Sequence, residues 1–207
     1  IRRQRQMCIR DSVIGRLSGN TSMNNSQFHR IRSWLQEQFS VHADEDYGKT
    51  LSRAIPGLTQ TSRVPVPQLR KIARDAQSRF NMTAGEWIRY ISLVIPDRNR
   101  EEILVGAFGL GKDARTQDDL FGERASGWGR ELDNWETTDQ LSVPVGAWVL
   151  EDLSRVGYLE AWAVIGETVW KKRLGVVSTV QLNHGGHSHP NETFRVVRNI
   201  MNTTDPM

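Results

Sequence analysis

The chain has 207 residues, which is enough for one domain with a full core or for an array of helix pairs. Its charged and hydrophobic fractions, 25% and 38%, are ordinary for a soluble protein. No stretch reaches the roughly 18 uninterrupted apolar residues of a membrane span, and none has the apolar middle of a signal peptide. We therefore expect a cytoplasmic protein without a membrane partner. The only cysteine, Cys8, cannot form an internal disulfide and provides no basis for a thiolate metal site.

The net charge of +3 originates at the start of the chain. Residues 1–12 contain four Arg and one Asp, and the remaining residues have 23 basic and 23 acidic side chains. Because this tail has neither a helical nor a strand period, we interpret it as non-native or disordered and exclude it from the fold. The polar residues 13–25 are predicted to be disordered, and residues 26–207 to form a single helical-repeat domain.

From residue 25 onward, nearly every segment has the 3.6-residue apolar period of an amphipathic helix. Two apolar stripes come first: Phe28, Ile31, Trp34, Leu35 and Phe39, then Leu69, Ile72, Ala73, Ala76 and Phe80. Thr83 and Glu86 have the spacing of a capping box, and Asn99 begins an apolar run that Gly111 closes. These start and stop signals predict a series of helices.

Strand signals are absent, since neither alternation nor a hairpin turn is present. Later helices are predicted at about 158–170, 171–183 and 191–203. Helices joined by short polar turns make either a bundle or a stack of antiparallel helix pairs. We favour the stack, an all-α, curved superhelix whose concave side collects one helix from each pair and is wide enough for a duplex.

Trp135 and Asp139 lie four residues apart near the start of a predicted helix, for which Asp133 is the predicted N-cap. This spacing places an aromatic face and a carboxylate on one side of the helix, a combination that favours a cation. A lone tryptophan is more often a core residue and a lone aspartate more often a solvated or ion-paired group. Pro144, in the same helix, either bends it or marks the join between two shorter helices.

Basic side chains outside the tail form two clusters. The first contains Arg63, Arg70, Lys71, Arg74 and Arg79, and the second Lys171, Lys172, Arg173, Arg195 and Arg198. Arg173 adds a guanidinium that can hold a phosphate, and together with the Trp–Asp pair it suggests chemistry on alkylated, cationic DNA bases. Such clusters are also typical of solvated helix faces, and both interpretations stand.

Several other motifs favour structural roles. Residues 184–189 contain three His, but they fall in a glycine-containing loop without a neighbouring carboxylate or thiolate, which favours a polar turn over a metal site. Residues 106–111 contain glycines but lack the strand and Gly-Lys-Ser of a phosphate-binding loop. Four tryptophans on apolar stripes are predicted to pack in the core: Trp87, Trp148, Trp162 and Trp170.

Three segments carry a resemblance that runs from about residue 45 to the end. Residues 63–73 read RVPVPQLRKIA, Trp135 and Asp139 have Trp-x-x-x-Asp spacing, and residues 170–176 read WKKRLGV. In this order they resemble the AlkD-type DNA alkylation repair glycosylases, which are built from HEAT-like repeats. The spacing of tryptophan, aspartate and the later arginine agrees with the catalytic pattern of that family.

The resemblance implies excision of N3- or N7-alkylated purines from double-stranded DNA by a monomer that needs no cofactor or metal. Alkylation makes the base a good leaving group, so the barrier lies mainly in the sugar, which gains oxocarbenium character. Asp139 would stabilise that charge and orient the attacking water. Trp135 would lay its indole against the deoxyribose or the lesion.

The resemblance also implies DNA contacts. Arg173, with Lys172 as a second candidate, would hold a phosphate beside the lesion, and Arg70 and Lys71 would contact DNA elsewhere. Most glycosylases extrude the damaged base, whereas the best-known members of this family leave it stacked, and the sequence does not separate these modes. The early aromatic residue that contacts DNA in some relatives has no clear counterpart, with Tyr47 as one candidate.

Two further expectations complete the interpretation. The family has another tryptophan on a later helix, and the chain stops at Met207 before that helix, so we expect a C-terminally truncated fragment. The alternative function is a non-catalytic HEAT-like scaffold that binds DNA or protein, because repeat folds serve both purposes. Catalysis requires that the Asp139 carboxylate face a cleft and have no permanent neutralising partner.

Overall fold

The computed structural model describes residues 23–55, 57–58 and 60–201. The predicted tail, residues 1–12, and most of the predicted disordered segment, residues 13–22, lie outside the described residues. No helix in the described ranges combines the length and apolar character needed to cross a membrane.

The described part of the chain contains ten α-helices and no strand, as the sequence predicts. They are α1 (Asn25–Val41), α2 (Glu45–Ala54), α3 (Val66–Phe80), α4 (Ala84–Val94), α5 (Arg100–Leu110), α6 (Leu120–Glu131), α7 (Trp135–Glu151), α8 (Val156–Trp162), α9 (Val169–Ser178) and α10 (Pro190–Arg198). Short 3₁₀ segments cover Ile95–Asp97, Gly111–Thr116, Leu153–Arg155 and Thr179–Asn183.

Polar side chains fix the start of six helices. Each accepts a hydrogen bond from the backbone N–H three residues later, which satisfies one of the free donors of the first turn. These caps are Asn24, Asp44, Thr83, Asn99, Asn134 and Thr168. The capping box at Thr83 and Glu86 is confirmed, as is the helix that begins after Asn99 and is closed by Gly111, whose φ is +44°.

The helices are stacked in two layers. One layer consists of α3, α5, α7 and α9, each packed against the next, and α1 packs on α3 at one side. Behind them lie α4, α6, α8 and α10, with α4 against α5, α6 and α8 against α9, and α10 against α8. The arrangement is the predicted superhelix of antiparallel helix pairs, and it places alternate helices of the chain side by side on one face.

A continuous core fills the space between the layers. The predicted apolar stripes of α1 and α3 are buried in it, except that Trp34 and Phe80 are partly exposed and meet edge to face at 5.6 Å. Trp87, Trp148 and Trp162 are fully buried, and the core prediction for these tryptophans is confirmed. Trp170 is partly buried and packs against the same core.

The predicted helix at 158–170 is wrong. Helix α8 ends at Trp162 and α9 begins only at Val169. Gly166 between them has a φ of +97°, a conformation that favours glycine, and Thr168 caps the new helix. The apolar period continues through the turn, which hides the break from a reading of periodicity alone.

The last two predicted helices exist but have different bounds. The helix predicted at 171–183 begins at Val169 and continues as a 3₁₀ segment from Thr179. The helix predicted at 191–203 covers Pro190–Arg198, and proline at its first position suits a helix start.

Helix α7 carries the predicted site and differs from the prediction in two details. Its N-cap is Asn134, whose side chain accepts from the backbone N–H of Thr137 at 3.0 Å, so the assignment of Asp133 is wrong by one residue. The helix is continuous through Pro144, so the join between two shorter helices is also wrong. Trp135 and Asp139 occupy the first two turns, as predicted.

Candidate functional site

Trp135 and Asp139 lie one turn apart on the accessible side of α7, whose other side is packed in the stack. The Trp135 residue is 39% exposed, whereas the core tryptophans are nearly inaccessible, so the interpretation of Trp135 as a core residue does not hold. The Asp139 side chain is 26% exposed. Both side chains are therefore within reach of a ligand on this face.

The indole of Trp135 is oriented by the backbone of α2. Its Nε1–H donates to the carbonyl oxygen of Ala54, the last residue of α2, at 3.1 Å. A helix-terminal carbonyl has no acceptor role inside its own helix, so the indole satisfies a group that would otherwise need water. The contact joins α2 to α7.

Asp139 forms a bidentate ion pair with Arg173 of α9. Arg173 Nε donates to Oδ1 at 2.7 Å and a terminal N–H of Arg173 donates to Oδ2 at 2.8 Å. These hydrogen bonds raise the pKa of the Arg173 guanidinium above its ordinary value, against a smaller opposing effect of burial. The sequence predicts a phosphate contact for Arg173, whereas in the structure its guanidinium is the direct counter-charge of Asp139.

The ion pair leaves much of the guanidinium unused. Arginine has five N–H donors, and two of those of Arg173 are bonded to Asp139. Its other donors make no hydrogen bond to any residue in the described ranges, and its side chain is 28% exposed. Arg173 can therefore hold a carboxylate on one edge and an anion on the other.

The structure does not bring Lys172 together with Arg173. Lys172 is only 2% exposed, whereas the Arg173 side chain is 28% exposed. Lys171 is equally buried, with Nζ 2.7 Å from a carboxylate oxygen of Glu167. Neighbours in a helix differ by about 100° in direction, so one residue of the basic run faces outward while two face inward.

Arg70 and Lys71 are exposed on α3, in the same layer as α7. The guanidinium of Arg70 lies over the ring of Phe108 of α5, 5.0 Å from its centroid. No contact joins these two cations to Trp135 or Asp139 in the described residues. They form a separate basic surface two helices away along the layer.

Sequence reasoning missed a buried charge network beside the site. Arg100, at the start of α5, is completely inaccessible, and all five of its N–H donors are bonded. The acceptors are both carboxylate oxygens of Glu136 at 2.5 and 2.8 Å, Glu101 at 2.7 Å, the Val64 carbonyl at 3.0 Å and the Tyr47 hydroxyl at 2.9 Å. Glu136 directly follows Trp135, so this network holds the first turn of α7.

The network also settles the place of Tyr47. Its ring lies beneath the Arg100 guanidinium, 5.6 Å from centroid to carbon, and burial raises the pKa of its hydroxyl. Burial is the largest single effect on the pKa of Arg100 and lowers it, but the hydrogen bonding to Glu136 and the charges of Glu136 and Glu101 together outweigh burial, so that pKa lies above its ordinary value. The hydroxyl of Tyr47 is thus engaged inside the protein.

Other candidate sites lack such organisation. The rings of His187 and His189 stack at 6.4 Å in an exposed loop, and the described residues contain no group of three or more His, Cys, Asp or Glu placed to hold a metal. A cleft of about 340 Å³ lies beside α1, lined in part by Gln36, Glu45 and Arg63. Trp135, Asp139 and Arg173 do not line this cleft.

The fold and the site define a helical-repeat protein in which one layer of helices presents an indole, a carboxylate and a guanidinium together. A family model described as DNA alkylation repair enzyme matches residues 35–207, and the chain belongs to that family. The match covers every residue of the site. No curated protein and no solved structure matches the chain. Family membership makes DNA alkylation repair its function and DNA its substrate.

Proposed function

We propose that this site hydrolyses the N-glycosidic bond of N3- or N7-alkylated purines in duplex DNA. The observation that carries the proposal is the exposed indole of Trp135 one turn from the accessible carboxylate of Asp139, within the region matched to the repair family. Alkylation places a positive charge on the base, so its departure needs little acid catalysis. The protein must then stabilise the sugar.

Asp139 supplies that stabilisation as the carbon–nitrogen bond breaks. A carboxylate about 4 Å from a developing cation contributes roughly 4 kcal/mol at an effective dielectric of about 20, equivalent to about three decades in rate. The same carboxylate orients the water that attacks the sugar carbon and accepts its proton. The products are the free base and an abasic sugar.

In the free protein, the positive charge of Arg173 partly cancels the negative charge that Asp139 would present to the sugar. Bound DNA removes this cancellation. Partly exposed ion pairs contribute only about 0.2–1 kcal/mol, so a phosphate competes readily for the guanidinium. A phosphate on the unused edge of Arg173 adds a negative charge without displacing Asp139. In either geometry, the charge summed over carboxylate, guanidinium and phosphate is again negative beside the sugar.

Trp135 presents an aromatic face to the same cation. A cation–π contact of this kind contributes about 0.5–2 kcal/mol. Because the indole N–H is already bonded to Ala54, the ring is oriented before DNA binds.

The decisive experiment measures release of 3-methyladenine and 7-methylguanine from alkylated duplex DNA. Asp139→Asn keeps the shape of the side chain and removes its charge, so we expect release to fall by about two to three decades while DNA binding persists. Asp113→Asn, at an exposed carboxyl without a hydrogen bond in the described residues, is the matched control. Unchanged release by Asp139→Asn would eliminate this mechanism.

A non-catalytic scaffold is the second candidate, and one observation favours it. Asp139 already has an ionic partner, as helical aspartates outside active sites often do. A scaffold would bind alkylated and plain duplexes alike and release no base. In that case Asp139→Asn and the Asp113→Asn control would behave identically in both binding and release.

A further inference from the structure

Helix α2 is attached to the rest of the molecule in an unusual way. Of its residues, only Gly48 and Leu51 are buried. A helix with so little buried surface gains little stability from packing and depends on specific contacts for its position. One such contact is the ion pair of Glu45 with Arg63 in the segment before α3, and two others lie near its opposite ends.

Both contacts lead to the first turn of α7. Near the start of α2, the Tyr47 hydroxyl accepts from Arg100, which also holds Glu136. At the end of α2, the Ala54 carbonyl accepts from the indole of Trp135. Since Trp135 and Glu136 are consecutive, the contacts form a closed ring through α2, Arg100 and α7.

Arg100 is the fixed point of this ring. Its guanidinium is fully buried and has no donor left over, so it cannot rotate without breaking several hydrogen bonds. One of its partners, Glu101, also accepts from the backbone N–H of Ser62 and the hydroxyl of Thr61. The anchor is thereby connected to the segment that precedes α3 as well as to α2 and α7.

We propose that Arg100 is a positioning residue for Trp135 and that it acts through α2. By fixing Tyr47 it fixes the place of α2, and the end of α2 supplies the carbonyl that orients the indole. Tyr47 and Ala54 belong to the same series of contacts between Arg100 and Trp135. The effect on catalysis rests on the proposed glycosylase function, whereas the coupling between Tyr47 and the indole does not.

The coupling predicts that loss of the Tyr47 hydroxyl changes the environment of the Trp135 indole at the other end of α2. Tyr47→Phe keeps the ring and leaves one N–H of Arg100 without its acceptor. Tyr158→Phe is the matched control, because the Tyr158 hydroxyl makes no hydrogen bond to another described residue. Each variant loses the same single atom, so a difference between them reports the position and not the chemistry of the change.

The measurement is the indole N–H signal of Trp135 in a nitrogen-edited NMR spectrum of the full chain. The chain has seven tryptophans, and the signal that disappears in Trp135→Phe is that of Trp135. In Tyr47→Phe we expect this signal to shift and to exchange faster with solvent, while the other six stay in place and confirm the fold. In Tyr158→Phe we expect it to be unchanged.

A second variant and a kinetic readout extend the test. Arg100→Lys keeps the positive charge but cannot reach all five acceptors, so the same signal moves further. In single-turnover base release, Tyr47→Phe lowers the rate constant roughly tenfold, and affinity for an alkylated duplex stays within about twofold, because orientation is lost rather than binding.

Two outcomes separate the two proposals. A Trp135 signal that is unaffected by Tyr47→Phe overturns the positioning role, whatever the activity. A shifted signal in a protein that releases no base from alkylated DNA supports the positioning device and counts against the glycosylase function alone.

Discussion

Two arginine–carboxylate pairs lie three residues apart on α7, and they differ in nearly every physical respect. Arg100 reaches Glu136 from α5, and Arg173 reaches Asp139 from α9. The first pair has side chains 0% and 10% exposed, and the arginine has five acceptors. The second has side chains 28% and 26% exposed, and the arginine has two. The same chemical pairing is closed to solvent at Arg100 and Glu136 and open to solvent at Arg173 and Asp139.

Burial explains the difference in expected behaviour. Water and ions screen the open pair and compete for its groups, so it opens at little cost. The sealed pair can open only by leaving charges inside the protein. An ion pair that opens easily, such as Arg173 with Asp139, can take part in ligand binding, whereas a pair that stays closed, such as Arg100 with Glu136, suits a structural role.

The largest expected effect concerns the sealed pair. Arg100→Met leaves the carboxylates of Glu101 and Glu136 buried without their cation, so we expect the free energy of unfolding to fall by about 3–5 kcal/mol. Urea denaturation followed by circular dichroism measures it. A decrease in the free energy of unfolding of less than about 1 kcal/mol would contradict the distinction between Arg100 and Arg173, because both arginines would then contribute equally little to stability.

The same exchange at the open pair should affect activity and not stability. Arg173→Met is expected to change the free energy of unfolding by less than about 1 kcal/mol. Loss of its charge-assisted hydrogen bonds to phosphate should lower kcat/KM for base release by about tenfold to a hundredfold. Stability loss comparable to that of Arg100→Met would contradict the assignment of Arg173 to the binding face.

A double-mutant cycle sharpens the comparison further. Asp139→Asn and Arg173→Met, alone and combined, should give a coupling energy of at most about 1 kcal/mol in unfolding experiments. The coupling should also shrink in high salt, because the pair is accessible to ions. A coupling near 3 kcal/mol that ignores salt would make the pair permanent, and Asp139 would then be unsuited to stabilise a cationic sugar.

The smallest effect is expected at Glu167, a carboxylate of intermediate exposure that forms ion pairs with both Lys171 and Arg130. Hydrogen bonds from Lys171 and Arg130 lower the pKa of the Glu167 carboxyl. A lowered pKa stabilises the folded protein above the ordinary carboxyl range, and that contribution is lost as pH falls through the lowered value. The difference in unfolding free energy between wild type and Glu167→Gln should therefore be present near neutral pH and vanish in acid. A difference that grows in acid would reverse the assignment.

The fold could be predicted because its signals are local. Apolar stripes, the capping box at Thr83 and the glycine at residue 111 each specify a helix within a few residues of sequence. The break before α9 also had local signals in Gly166 and Thr168, but a continuous apolar period concealed them. The predicted helix boundary was wrong here because the glycine and capping signals disagreed with the apolar period.

The site could be predicted only in part, because its partners are distant in sequence. Trp135 and Asp139 are candidates because of their spacing and Arg173 through a resemblance to a family, and the structure adds that Arg173 and Asp139 are in contact. Arg100 was missed because a charged residue in the first turn of a helix is normally solvated, and its partners lie on other helices. Lys172 was grouped with Arg173 because a run of basic letters does not show which side of a helix each occupies.

The flanking of α7 by arginines from α5 and α9 has a consequence for how the protein loses function. In a stacked-repeat protein, stability is approximately a sum of contributions between neighbouring units. The site needs α5, α7 and α9 packed together at the same time. It therefore remains intact only as long as the weaker of the α5–α7 and α7–α9 interfaces, whatever the average stability of the chain. Loosening at the junction of α7 and α9 would release the guanidinium of Arg173 while Arg100 still holds the indole side, and base release would then fail well before the fold does.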